Sequence, residues 1–376
     1  MGIDVRSKVV VGMNAGDEGK GLVTDYLANQ AIQKGYKTLV VLNNGGPQRS
    51  HTVSLVEGIK HAFRHFGSGT FIGADTYLSE FFIINPMVFV QEYKELNKMG
   101  FYSHVYIDKK CRITTPYEMY LNQMLEESRG EKRHGSCGMG IWQTVKLYND
   151  FSVCTWGDIK SFCDWIKIRK NYFDYNFKRY KENQEISNQV ILNWSKILYT
   201  ENDAIIEKYL QDCYFMLNHT MWCDAEIIKK YDEVIFENGQ GLLLNDDPDN
   251  VHTTPSNTGL DNVRVLEQKL GFYTEPYYVT RTYLTRHGID PNFKEDKQLS
   301  IGLYDETNIP NEFQGTIRYG QMDYNFLERL RKDSFDREFK VVITHKNEIA
   351  VPDYMYDNLN SIQTLYSTGK ERESIK

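Results

Sequence analysis

Apolar and polar positions along this chain fall into short blocks with two different periods. Val9 to Gly12 is an unbroken apolar run, the pattern of a strand covered on both faces, and Leu22 to Leu27 opens a helix. "KTLVVL" (37–42) is a second such run and leads into the polar stretch "NNGGPQRSHT". "FFII" (81–84) reads as a third strand, closed by Asn85-Pro86, and "PMVFVQEYKELNKMG" then has the spacing of an amphipathic helix ended by Gly100. "HVYID" reads as a fourth strand. From about 157 to 231 the pattern is mostly helical, after which "DEVIFENGQG", "PYYVTRTYLTRHG" and "FKVVITHKN" return to strands. This alternation predicts an α/β fold with a mostly parallel central sheet flanked by helices. No linker, repeat or low-complexity tract interrupts it, so a single large domain over 1–376 is expected, with a mostly helical insertion at about 157–231.

Composition narrows the partners. A net charge of −7 argues against a broad nucleic-acid surface but leaves room for local anion sites. The six cysteines (111, 137, 154, 163, 213, 223) show no metal spacing and fit reduced thiols. No run of eighteen apolar residues occurs and no signal-peptide pattern is present, so a cytoplasmic protein without a membrane partner is expected.

Ligands of open α/β sheets bind outside the carboxyl ends of strands, which directs attention to the polar loops there. "GDEGKG" carries Gly16, Asp17, Glu18, Gly19, Lys20 and Gly21 at the start of a helix, where backbone N–H groups can crowd onto a phosphate. Its spacing is not that of a Walker A loop. Two carboxylates in such a loop would repel a phosphate unless a metal sits between or one of them is a base; an acidic surface turn is the plainer alternative. "GGPQRSHT" places Gln48, Arg49, Ser50, His51 and Thr52 after the second strand. "HGSCGMG" is a second glycine loop with Ser136 and Cys137. "ENGQG" offers Gln240, "TTPSNT" offers Thr253 and Thr254, and "GTIR" offers Thr316 and Arg318, a guanidinium suited to clamping a carboxylate. Taken singly, a histidine or arginine of this kind is more often structural or solvated. Six polar loops at successive strand ends are harder to dismiss.

The order "GDEGKG", a Gly-Gly loop ending in His-Thr, "GSCGMG", "FENGQGLLLN", "TTPSNT", "TRHG", "GTIR", "ITHKN", "STGKE" resembles the adenylosuccinate synthetase family from Val9 to about Arg372. The resemblance implies that family's P-loop-like fold and a homodimer of chains. It implies a Mg²⁺-dependent ligase that takes a purine nucleoside monophosphate, a nucleoside triphosphate and L-aspartate. Asp17 would be the base that takes the N1 proton of a 6-oxopurine. His51 would be the acid that helps the γ-phosphate onto O6, which the aspartate amine then displaces. Asp17 and the Ser50 carbonyl would hold Mg²⁺. The triphosphate would lie against Gly16, Glu18, Gly19, Lys20, Gly21, Thr52, Asn347, Thr368 and Gly369. The monophosphate would meet Asp17, Gln48, Arg49, Ser136, Cys137, Gln240 and Thr254, and aspartate would meet Thr316 and Arg318.

Several residues depart from the family pattern. Gln48, Arg49 and Ser50 stand where it reads Asn-Ala-Gly, and no arginine lies near Phe151, where the family's intersubunit arginine is expected. Arg49 is expected to supply that charge from within the chain. Asn347 stands where an Asp reads guanine, which suits adenine and hence ATP or dATP better. These departures resemble the phage branch that joins aspartate to dGMP for diaminopurine DNA. Asp17 is the ordinary family base, however, and many of that branch carry a small residue there. The leading expectation is a dGMP ligase; the alternatives are an IMP enzyme using GTP, a ligase for another amine and a non-catalytic nucleotide sensor.

Overall fold

The computed structural model describes residues 5–146, 159–247, 249–305 and 314–376. Nine strands form one parallel sheet: β1 (Arg6–Gly12), β2 (Thr38–Leu42), β3 (Asp75–Leu78), β4 (Val105–Asp108), β5 (Met221–Cys223), β6 (Glu233–Glu237), β7 (Thr274–Thr280), β8 (Lys340–Ile343) and β9 (Thr364–Tyr366). Their spatial order is β9-β8-β7-β1-β6-β2-β3-β4-β5. β1 lies between β6 and β7, with Val10 opposite both Glu237 and Tyr277. The first polar loops therefore open side by side near the middle of the sheet, where the chain changes its direction of winding.

The unbroken apolar runs follow from burial on both faces. Val10, Val40, Leu42, Ile235 and Val279 belong to one core with α1 (Lys20–Gln33), α2 (Pro86–Lys98) and α3 (Pro116–Arg129). Their alternates Val9, Val11, Leu39, Val41 and Phe236 belong to a second core with the helices at Asp261–Leu270 and Phe326–Ser334. Each fully buried valine or leucine contributes about 1.5–3 kcal/mol, so a one-residue slip would be prohibitive. The Asn85 side chain caps α2, accepting from the Met87 and Val88 N–H groups, with Pro86 as the first helical residue.

Two expectations need correction. Ile83–Ile84 is not a sheet strand but pairs with Arg112–Ile113 in a separate ribbon, and the strand beside β2 is Asp75–Leu78. "PYYVTRTYLTRHG" holds two strands: β7 in the sheet, and Tyr283–Arg286 paired antiparallel with Arg318–Gln321. The stretch expected to be mostly helical from about 157 to 231 holds the helices Ile159–Glu182, Asn188–Lys196 and Asn202–Asn218, and it also carries the short strand β5 at the sheet edge. Among the described residues, Cys111, Cys137, Cys163, Cys213 and Cys223 are free thiols. No described helix is long and apolar enough to cross a membrane.

Candidate active site

The loop between β1 and α1 is shaped by left-handed backbone: φ is +105° at Gly16, +58° at Asp17 and +91° at Gly19. Glu18 turns inward. One carboxylate oxygen accepts from the N–H groups of Asn14 and Gly16 at 3.0 and 2.9 Å, and the other lies 2.6 Å from Lys20 Nζ. Glu18 and Lys20 are both buried, and a Cβ on Gly12 would come within 2.8 Å of each. The acidic pair in the loop thus divides into two roles. Glu18 orders the loop and holds the lysine, while Asp17 presents its carboxylate outward.

Asp17 is gripped by the stretch after β7. Arg281 Nε donates to its carbonyl at 2.6 Å, Thr285 Oγ1 donates to the Gly16 carbonyl at 2.6 Å, and His287 Nε2 lies 3.1 Å from Asp17 Oδ2. Burial opposes ionisation, but the hydrogen bond and charge of His287, with Arg281 and Lys20, hold the carboxyl well below the usual carboxylate range.

His51 stands at the start of a hairpin, His51–Ser54 with Lys60–Phe63, and its Cβ lies 3.1 Å from where Gly21 would carry one. Its Nδ1 lies 2.6 Å from Glu237 Oε1 and 2.8 Å from Arg49 Nη2. Arg49 Nη2 is also 2.7 Å from Glu237 Oε1. An arginine N–H cannot donate to a protonated Nδ1, so the consistent arrangement has both His51 Nδ1–H and Arg49 donating to Glu237. Nε2 is then left without a partner among the described residues. Burial first, then the Arg49 guanidinium, pushes His51 down to about 4 against the pull of Glu237. Burial favours the neutral form of Glu237 too, yet the charges of Arg49 and His51 hold it down at about 2.

Arg49, expected at the monophosphate, has a fully buried guanidinium engaged by Glu237 and set beside His51, with Nε and Nη1 lacking a partner. Glu237 was missed from sequence. Its one signal is a carboxylate at the end of a central apolar strand, where only a specific partner would retain it.

Next to these groups, Gln48 and Gln240 converge on Gly45. A Cβ there would meet Gln48 Nε2 at 3.0 Å and Gln240 Oε1 at 3.1 Å. Both polar atoms of the buried Gln48 amide lack partners. The second glycine loop is largely self-satisfied: Glu126 accepts from the Gly135 and Ser136 N–H groups, Asn122 donates to Ser136 Oγ, and burial pushes the Cys137 thiol up to about 11. Arg318 donates to the Gly288 carbonyl and lies over the Phe293 ring, while Thr316 is exposed. Arg286, opposite Arg318 in the ribbon, was also missed; it is buried and donates to the His252 carbonyl at 2.6 Å, beside Thr254.

β8 and β9 end together, with Ile343 opposite Tyr366, so Asn347 shares one region with Thr368 and Gly369. Asn347 and Thr368 are exposed, and Lys346 N–H donates to the Ser367 carbonyl. Thr52 lies in the hairpin beside His51, and Ser50 just before it is exposed. The position near Phe151 lies outside the described residues.

The family model for adenylosuccinate synthetase matches residues 9–324. The chain belongs to the adenylosuccinate synthetase family. Among relatives, the adenylosuccinate synthetase of Alkaliphilus metalliredigens is 30% identical over 247 residues, 64% of this chain and 53% of that protein. That of Lactobacillus acidophilus is 29% identical over 262 residues, 66% of this chain and 55% of that protein. The matched stretches thus span about half the length of those relatives. The structure is similar to fully ligated adenylosuccinate synthetase from Plasmodium falciparum, with TM-score 0.70 and 14% identity, covering 98% of this chain and 99% of that one. It is also similar to the succinoaminodeoxyadenylate synthetase of cyanophage S-2L bound to dGMP and dATP, with TM-score 0.63 and 11% identity, covering 99% and 95%. At such identities the structural likeness carries the adenylosuccinate synthetase fold.

Proposed function

We propose that this protein is a carbon–nitrogen ligase that joins L-aspartate to C6 of a 6-oxopurine nucleoside monophosphate at the expense of a nucleoside triphosphate, with dGMP as the purine and ATP or dATP as the donor. The observation that carries the ligase reading is the separate anchoring of two acid–base groups beside one phosphate loop. Asp17 is held by His287 and His51 by Glu237, and the charge of Lys20 acts on both.

In this reading Asp17 takes the N1 proton, which makes O6 a nucleophile, and O6 attacks the γ-phosphorus. His51, once protonated at Nε2 by the phosphate charge arriving beside it, donates to the transferring phosphoryl oxygens, and Lys20 shares its charge between Glu18 and the phosphates. The aspartate amine then displaces phosphate from C6, with Arg318 and Arg286 near its carboxylates. No described cluster of three His, Cys, Asp or Glu could cage a metal, but Mg²⁺ beside polyphosphate needs only one or two protein oxygens. The Asp17 carboxylate and the Ser50 carbonyl are hard donors of that kind, and the ion would neutralise phosphate charge there.

Support for dGMP comes from Gln48. Its unpartnered amide offers the acceptor that a 2-amino group requires, at a position where the family pattern is different. Asn347 supports an adenine donor. A second reading, IMP with GTP, is favoured by Asp17 itself and by the two bacterial sequence relatives named above, both adenylosuccinate synthetases. The deciding experiment incubates the purified chain with aspartate, Mg²⁺, ATP or GTP, and IMP, GMP or dGMP, and identifies products by mass. Succinylated product from dGMP alone supports the first reading; product from IMP alone replaces it with the second; none from any pair defeats both.

A further inference from the structure

Arg281, Tyr283, Thr285 and His287 alternate along one extended stretch that includes the strand Tyr283–Arg286, and alternate side chains of a strand share a face. Three of the four reach the phosphate loop. Arg281 and Thr285 hold the carbonyls of Asp17 and Gly16, fixing a residue whose φ of +58° is uncommon for a side chain other than glycine. His287 Nε2, 3.1 Å from Asp17 Oδ2, holds the side chain. Tyr283 accepts from Arg281 Nη1 at 2.9 Å and steadies that guanidinium. The other Asp17 oxygen, Oδ1, has no partner among the described residues, and the side chain is 29% exposed.

His287 is itself fixed through its neighbour Gly288, which has φ +71° and where a Cβ would lie 2.7 Å from the Gly135 carbonyl oxygen. The Gly288 carbonyl also accepts from Arg318. The turn that carries the histidine is thus pinned between the second glycine loop and the Arg318 strand.

We infer that His287 is a positioning residue for Asp17: by holding Oδ2 it aims Oδ1 at the N1–H bond of the purine. The inference rests on the ligase reading above. In that step the N1–H bond breaks and its proton passes to Oδ1. The electron pair moves through the ring to O6, which bonds to the γ-phosphorus as the bridging oxygen leaves with the nucleoside diphosphate. His287 takes no proton from the purine; it sets direction and distance. An error of about 1 Å at a reacting group is enough to cost roughly 100-fold in rate.

Three variants of the full chain test this. His287→Leu removes the donor while keeping bulk, His287→Asn is too short to reach Oδ2, and His287→Gln restores an N–H at similar reach. The Leu and Asn variants should lose about 10- to 100-fold in kcat with the purine KM within about threefold, and the Gln variant should recover to within about fivefold of wild type. In crystal structures the Asp17 carboxylate should leave its rotamer in the Leu and Asn variants and keep it in the Gln variant. An Asp17 that keeps its rotamer in the Leu variant overturns the inference whatever the assays read, as does a Leu variant with wild-type kcat. A wild-type chain that makes no succinylated nucleotide would strike the ligase reading instead, and the crystal structures would still judge the contact.

Discussion

Glu237 Oε1 lies 2.6 Å from His51 Nδ1, joining residues 186 positions apart at the buried end of a central strand. The Ser68 backbone N–H donates to the second Glu237 oxygen at 3.0 Å, which fixes the plane of the carboxylate and so the direction of the imidazole. Glu237→Gln should therefore lower kcat by about 10- to 100-fold with a smaller change in purine KM, since the group lost acts through His51. It should also destabilise the fold, because Arg49 would lose the anion that neutralises it, a loss of about 3–5 kcal/mol for a buried pair. Steady-state kinetics and urea unfolding read the two effects separately; wild-type kcat in a folded Glu237→Gln protein would remove Glu237 from the mechanism.

Arg49→Met should raise the pKa of His51. Burial is the larger cause of its low value of about 4 and stays in place, but the repulsion from the guanidinium goes. Protonated imidazole should then persist to higher pH, and an NMR titration of His51 should show its midpoint moving up. If the midpoint stays put while affinity for the monophosphate falls, Arg49 acts on substrate instead through its unpartnered Nε and Nη1.

Glu92 gives a pH prediction remote from the chemistry. Its carboxylate accepts from the backbone N–H groups of Arg64 and His65 at 2.8 and 2.7 Å. Burial opposes its ionisation, but the His61 and His65 rings, 3.5 and 3.7 Å from its oxygens, together with those amides bring its pKa from 4.5 down to about 2. The folded pKa is depressed, so the stabilisation is present above about pH 4.5 and is lost as pH falls towards about 2. It amounts to roughly 3 kcal/mol. Urea midpoints of wild type and Glu92→Gln should differ clearly at pH 6 and converge in acid; a gap that does not narrow would contradict this account.

Asn347→Asp should shift donor preference towards the guanine nucleotide. Guanine presents two adjacent donors, which a carboxylate accepts together, whereas an amide sets its own N–H₂ against one of them at a cost of about 1–3 kcal/mol. Competition between ATP and GTP at equal concentration is the measurement, and a wild-type preference for GTP would show that this loop reads the base differently.

Much of the sheet was legible because strands buried on both faces write long apolar runs, as at Val9–Gly12 and "KTLVVL". β3 was not. It opens on Asp75 and Thr76, whose polar atoms are satisfied by Tyr231 and by the Gly67 N–H, so its sequence imitates a loop, while "FFII" a few residues later imitates a strand. Asp17, Lys20 and His51 could be singled out because glycines flank them locally. Glu237 and His287 could not, since each is defined by a partner far away in the chain. Arg49 was visible as a charge, but only its neighbours in space reveal where that charge is spent.

In the proposed function, the buried contact between Glu18 and Lys20 would give the glycine loop a threshold for anions. An arriving anion meets an ammonium already matched by a carboxylate 2.6 Å away, so a lone phosphate or sulfate has little to gain by competing for it. A chelating polyphosphate that engages several loop amides at once can draw the lysine over. On the proposed ligase reading, the loop would discriminate against single small anions and respond to the charged tail of a nucleoside triphosphate.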